Sequence, residues 1–278
     1  MTHFTLNCKG KLLTIDVPVV MGILNLTSDS FFDGGKYSNE AAILNRVEQM
    51  LNDGATIIDI GGMSTRPNAE IITEEEELKR VVKSITTIHE YFPDAILSID
   101  TFRSKVAEEA VLNGISVIND ISGGTEDEHI FEVAAKFSCP LILMHKQGSL
   151  QTMHSETAYN NIITDILDYF AVQTEKAKNF GIKDVIIDVG FGFSKTMEQN
   201  YRLLKNLSVF KQLNKPILVG LSRKSMLCKL LNIKPDLALN ATTAVNMTAL
   251  QSGAAILRVH DVKEAMECVK IYHQIQLS

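Results

Sequence analysis

At 278 residues, with 45% hydrophobic and 22% charged side chains, the chain has the balance of an ordinary globular protein able to bury one large core or two small ones. A formal charge of -6 without a long Lys/Arg run argues against a nucleic-acid binder, and no run of about eighteen apolar residues offers a membrane span. The opening stretch, MTHFTLNCKGKLLTIDVPVV, alternates polar and apolar residues where a leader would be apolar, so the expected location is the cytoplasm and the expected partner a small molecule.

The first eighteen residues are expected to form a small hairpin. Short apolar, β-branched runs bounded by turn residues then follow at 19–26, 56–62, 95–100, 116–120, 140–145, 184–190, 216–222 and 254–260. Between them lie stretches of helical periodicity and composition at 39–52, 74–91, 103–112, 127–137, 159–180, 197–213 and 239–251, with a last one at 262–274. The acidic run Glu74–Glu77 follows Thr73 and reads as an N-capped helix start whose carboxylates complement the dipole, in preference to a metal site. The isolated cysteines Cys8, Cys139, Cys228 and Cys268 lack metal-ligand spacing and read as reduced packing residues.

Eight strand-then-helix units imply parallel strands joined by right-handed crossovers, enough to close a (β/α)8 TIM barrel with the N-terminal hairpin beneath it. A doubly wound open sheet is the alternative. Polar residues at nearly every strand end favour the barrel, because an open sheet concentrates its chemistry at one switch point. No linker or composition shift divides residues 1–278, so a single domain is expected.

The strand ends supply Asn25, Asp59, Asp100, Asn119, His145, Asp188, the Ser222–Ser225 group, and Arg258 with His260 two residues on along the same face. Carboxylates and amides converging with Lys224 and Arg258 suit a flat heterocycle rich in donors and acceptors, together with a phosphate that an arginine fork can grip and a Mg2+ that the Asn25 amide oxygen can help hold. The segment GFGFSK at 190–195 lacks the spacing of a nucleotide loop. The loops TSDSFFDGG and MSTRPN carry the glycine, serine and aspartate of loops that fold over a substrate, or of plain solvated connections. His145 and His154 flank the fifth loop without an HxH or HxxxH pair, giving a catalytic zinc little support.

On MGILNLTSDSFFDGG (21–35), DIGGMSTRP (59–67), SIDT (98–101), VIND (117–120), LMHKQG with a later TM (143–153), DVGFGF (188–193), GLSRKSM (220–226) and RVHDV (258–262), the sequence resembles the dihydropteroate synthase family along almost its whole length. The resemblance implies a Mg2+-assisted transferase that condenses (7,8-dihydropterin-6-yl)methyl diphosphate with p-aminobenzoate, is inhibited by sulfonamides, and is a homodimer. It places Asp100, Asn119, Asp188 and Lys224 around the pterin and has Arg258 reach both ring and phosphate. Asn25 falls at the Mg2+ position, and Thr65, Arg66 and His260 fall near the diphosphate. Phe31, Asp33, Pro67, Phe193, Lys224 and Ser225 enclose p-aminobenzoate, with Asp33, Arg66 and Lys224 as the catalytic group.

The sequence departs from the family pattern at Ser28, Leu150 and Val189, where proline is usual, at Met63 for glutamate, and at Asn68 and Ser194 for glycine. These changes bear on loop rigidity and leave the pterin and phosphate positions intact. A pterin-binding methyltransferase that donates to a corrinoid is the main rival, although the STRP and SRKS segments favour the synthase and no DxHxxG motif occurs. A pterin-binding module without catalysis is another.

Overall fold

In the computed structural model of the chain the described residues are 3–26, 36–63, 71–149, 151–153 and 155–278, the side chains of 36–39 excepted. Strands β1 (Phe4–Cys8) and β2 (Lys11–Ile15) pair antiparallel as the expected hairpin. Eight further strands follow: β3 (Val19–Asn25), β4 (Ile57–Gly61), β5 (Ile96–Asp100), β6 (Val117–Asp120), β7 (Leu141–Met144), β8 (Val185–Asp188), β9 (Ile217–Val219) and β10 (Ile256–Val259). They pair in parallel in chain order, and β10 returns to β3 to close the barrel.

Each strand sends alternate residues to opposite faces. The set containing Val20, Ile58, Leu97, Ile118, Ile187 and Leu257 packs outward against the helices in the main core. The other set, with Met21, Ile57, Val117, Ile142, Ile186, Leu218 and Ile256, fills the barrel floor together with hairpin residues Leu6, Cys8, Leu13 and Ile15. The hairpin is thus a plug under the barrel. It is tied there by the Asn7 amide donating to Asp184 and by Lys9 Nζ donating to the Val111 carbonyl.

The surrounding helices are α1 (Lys36–Asn52), α2 (Glu74–Tyr91), α3 (Ser104–Leu112), α4 (His129–Phe137), α5 (Ile162–Asn179), α6 (Met197–Lys205), α7 (Ser225–Leu231), α8 (Leu239–Gln251) and α9 (Val262–Leu277). Two differ from expectation. The single helix expected over 197–213 ends at Lys205, because Asn206 leaves helical geometry and returns both its backbone N–H and its side-chain amide to the carbonyls of the last turn; residues Leu207–Leu213 continue as a 3-10 turn. The short α7 was not expected, since its seven residues carry too little periodicity to stand out from the loop before them. Thr73 does cap α2, accepting from the Glu76 amide at 3.2 Å. Glu77, however, is fully buried against Arg103, so the fourth carboxylate of the acidic run serves packing instead of the dipole.

All four cysteines are free thiols, three of them buried. No helix among the described residues is long and apolar enough to cross a membrane.

Candidate active site

Two residues above the barrel floor, the same inward faces change from apolar to polar: Ile57, Val117, Ile186 and Ile256 are succeeded by Asp59, Asn119, Asp188 and Arg258. Strand pairing sets Asp100 beside Asn119 on neighbouring strands. The result is one connected network. Arg258 donates from Nε to Asp59 Oδ2 and from Nη2 to Asp100 Oδ2, both at 2.6 Å, and Asn119 donates from Nδ2 to the same Asp59 oxygen at 2.9 Å. Asp59 has no exposed surface and, among the described residues, is bonded to the rest of the site through Arg258 and Asn119, whereas Asn119, Asp188 and Arg258 retain some access.

Burial inside a low-dielectric barrel shapes the ionisation of this group. It pushes Asp100 up to about 7 even though Arg258 pulls it back, and it raises Asp188 against the opposing Gly190 amide, which donates to Asp188 Oδ1 at 2.8 Å. Burial likewise brings Lys224 down to about 8 despite the charge of Asp188. For Arg258 burial disfavours the cation, but Asp59 and Asp100 outweigh it and hold the guanidinium charged.

Lys224 follows a turn in which Arg223 takes φ 57° and pairs with Asp261 outside the barrel mouth, so of the two basic neighbours only the lysine reaches the site. Its Nζ lies 4.2 Å from the centroid of the Phe193 ring. Phe193 in turn joins Ile121, Met144 and Met153 in a small apolar wall. Two glycines make this approach possible: at Gly190 (φ 72°) a Cβ would stand 2.0 Å from the His145 carbonyl oxygen, and at Gly192 (φ 82°) it would stand 3.0 Å from Lys224 Cδ. The glycine-rich segment therefore serves close backbone approach, in keeping with its lack of nucleotide-loop spacing.

His260 sits at the rim, where Nδ1 and Ser222 Oγ are 3.0 Å apart and the His260 carbonyl accepts from Arg46 at 2.6 Å. Asn25 ends β3 next to Gly61, and a Cβ at that glycine would find Asn25 Oδ1 at 3.7 Å and Asp100 Oδ2 at 3.8 Å. The missing side chain leaves a gap flanked by two oxygens. Among the described residues no three His, Cys, Asp or Glu side chains form a metal cage. Among the described residues the neutral amide oxygen of Asn25, with Asp100 Oδ2 across the gap, is a donor set that Mg2+ accepts, since that ion keeps waters and takes substrate phosphate oxygens as its other ligands.

Thus Asp100, Asn119, Asp188, Lys224, Arg258 and Phe193 come together, with Asn25, His260 and exposed Ser225 at the rim. Phe31, Asp33, Thr65, Arg66 and Pro67 lie outside the described residues, as do His154 and the departures at Ser28, Asn68 and Leu150. His145 is buried beside Tyr169 and is held down to about 2, by burial and then by the charge of Lys195, so it supports the wall from behind as a neutral ring. Sequence reasoning missed Lys195. Its ammonium donates to the carbonyls of Gly190 and Phe193 at 3.0 and 2.9 Å and lies 3.1 Å from His145 Nδ1. Its one sequence signal was the position after GFGFS, which carries no hint of burial.

The fold and this network define a pterin-binding barrel enzyme, and the family model described as pterin binding enzyme matches residues 21–260. The dihydropteroate synthase of Haemophilus influenzae is 42% identical over 96% of this chain and 97% of its own length, and that of Escherichia coli is 40% identical over 95% and 93%. A Yersinia pestis dihydropteroate synthase solved with a sulfonamide drug complex superposes with a TM-score of 0.92 at 41% identity, covering 99% of this chain and all of that one. The Xanthomonas albilineans enzyme in complex with 7,8-dihydropteroate gives 0.89 at 32% identity, with 99% and 100% coverage. The chain belongs to the pterin-binding enzymes and, among them, to the dihydropteroate synthases.

Proposed function

We propose that the chain joins p-aminobenzoate to (7,8-dihydropterin-6-yl)methyl diphosphate, giving 7,8-dihydropteroate and pyrophosphate in folate biosynthesis, with the polar network as the pterin pocket. The observation that carries the assignment is the single Arg258–Asp59–Asn119–Asp100 network, set in the barrel mouth with Asp188 and Lys224. Asp188 offers an acceptor-only carboxylate to the adjacent donors of an amino-pyrimidinone edge. Asn119 has one N–H committed to Asp59, which leaves its second N–H and its carbonyl as a donor–acceptor pair for the neighbouring edge. The apolar wall of Ile121, Met144, Met153 and Phe193 excludes water from one side.

In the reaction the carbon–oxygen bond to the diphosphate breaks, with its electron pair leaving on pyrophosphate. The aniline nitrogen of p-aminobenzoate uses its lone pair to bond the exocyclic carbon, and the resulting ammonium loses a proton to solvent. Charge grows on the leaving group, and by the family resemblance Arg258 and His260, with Thr65 and Arg66, would meet it. Asn25 would hold Mg2+, which supplies further neutralisation of the diphosphate. By the same resemblance Phe31, Asp33 and Pro67 would enclose p-aminobenzoate with Phe193, Lys224 and Ser225, and sulfonamides would compete there.

We assign the chain to a homodimer in the cytoplasm. Exposed Leu230, Leu231, Leu237 and Leu239 lie on α7 and on the way into α8, and Ile271, Ile275 and Leu277 lie on α9, which packs on α8; this supports the dimer. Free cysteines agree with a reducing compartment.

Supplying the two substrates with Mg2+ and following both products tests the function: pyrophosphate and dihydropteroate appear together, and folded protein that makes neither overturns it. Asp188→Ala weakens pterin binding about 10- to 100-fold, whereas Arg66→Ala acts mainly on turnover of the diphosphate. Equal effects of the two on pterin binding contradict this division. Sedimentation at micromolar concentration gives twice the chain mass, and a monomer there rejects the dimer.

A further inference from the structure

We propose that Ser194 is a positioning residue that locks the loop after β7 to the loop after β8, and so holds the apolar wall against which the aromatic second substrate packs. The proposal rests on the reading that Phe193 faces p-aminobenzoate.

Ser194 is almost fully buried and adopts φ 52°, the left-handed region that glycine enters freely and other residues rarely do. A backbone requirement alone would be met by glycine, so the use of serine here directs attention to the hydroxyl. That hydroxyl is fully engaged. It accepts from the Gln147 amide at 2.8 Å, and its own proton has the Gln147 carbonyl at 2.8 Å and the Met153 carbonyl at 2.9 Å as alternative acceptors. The Ser194 amide donates to the same Met153 carbonyl at 2.5 Å, and the Ser194 carbonyl accepts from the Tyr159 hydroxyl at 3.0 Å. Every polar group of the residue is therefore spent on the segment 147–159, none on its own loop.

The neighbours on either side show what the lock secures. Phe193 meets Met153, Met144 and Ile121 and lies under the Lys224 ammonium, while Lys195 runs back beneath the loop to the Gly190 and Phe193 carbonyls and to His145. With Met153 bound through its carbonyl to Ser194 and through its side chain to the Phe193 cluster, the two loops form one wall. Asp188, by contrast, is fixed on β8 itself and accepts from Gly190. Loosening the lock should therefore disturb the aromatic subsite and spare the pterin subsite.

Two variants separate the hydroxyl from the backbone. Ser194→Gly removes the hydroxyl and relieves the left-handed backbone, and Ser194→Ala removes the hydroxyl while keeping the strain. Steady-state kinetics with each substrate varied, together with hydrogen exchange over 145–153, read the result. In both variants the KM for p-aminobenzoate rises about five- to tenfold, that for dihydropterin diphosphate stays within about twofold, and exchange over 145–153 accelerates. An unchanged p-aminobenzoate KM in Ser194→Gly, or an equal rise for both substrates, overturns the proposal. Should Ser194→Ala fail to fold, Ser194→Gly decides alone, because it carries no backbone penalty. A parent enzyme that makes no dihydropteroate defeats the functional reading instead; unchanged exchange in the variants defeats the lock whatever the turnover.

Discussion

At the scale of single residues, the site turns on how few groups must satisfy many. One oxygen of Asp59 accepts from both Arg258 and Asn119 inside the barrel, so this carboxylate fixes the direction of two side chains of the proposed pterin pocket. Replacing it with an isosteric amide leaves the part-buried Arg258 with half its carboxylate partners, a change that costs more than the loss of a surface pair. Asp59→Asn is expected to raise the pterin Kd by roughly 10- to 100-fold while folding to the same circular dichroism spectrum; parent-like affinity by calorimetry would contradict the arrangement. Lys224 and Asp100 are expected to set the pH response, because burial moves both toward neutrality. With Asp100 ionising near 7 and Lys224 losing its proton near 8, kcat/KM for the pterin substrate rises through the first value and falls through the second. Lys224→Arg removes the alkaline limb, and a parent profile flat from about pH 6 to 9 would rule out these two groups.

At the scale of elements, the loops after β7 and β8 act together through His145, Lys195 and Ser194. His145 has a folded pKa of about 2 against its ordinary 6.5, because burial and the neighbouring lysine both oppose its charge. The unfolded chain takes up the proton as pH falls below 6.5 and the native state refuses it, so the stability contributed by the neutral ring is lost as pH drops from 6.5 toward 2. His145→Gln does not titrate. Compared by urea unfolding at successive pH values, the parent should lose roughly 1.4 kcal/mol per pH unit relative to the variant below about pH 6. A pH-independent difference between them would mean that His145 protonates in the native state. The α6 break at Asn206 and the short α7 belong to the same scale: an asparagine that caps backwards ends one helix, and a left-handed turn at Arg223 begins the next.

For the whole molecule, the N-terminal hairpin completes the floor of the barrel. Leu6, Cys8, Leu13 and Ile15 complete the apolar floor made by the inward residues of the strands, so a barrel without them would expose that floor to water. Leu6→Ala and Ile15→Ala are each expected to cost about 2–5 kcal/mol in urea unfolding. A loss under about 1 kcal/mol in both would indicate a hairpin that merely rests on the barrel.

The sequence by itself determined the order of eight strands and most of their helices, the N-terminal hairpin and the polar residues at the strand ends, because apolar strand runs bounded by turns and a 3.6-residue period on helices are local properties of the chain. Asp100, Asn119, Asp188 and Arg258 are legible as strand-end residues on the same ground, and a barrel gathers its strand ends at one mouth. Only the tertiary structure decided which of them pair: Asp59 with Arg258 spans 199 positions, and Asn119 with Asp59 spans 60, distances over which no local pattern carries information. It likewise decided that Glu77 is buried with Arg103, that Lys195 turns inward while Arg223 turns out to Asp261, and that Ser194 joins two loops. Burial and partner choice arise when distant segments close around one another, and the chain's local chemistry is the same before and after that event.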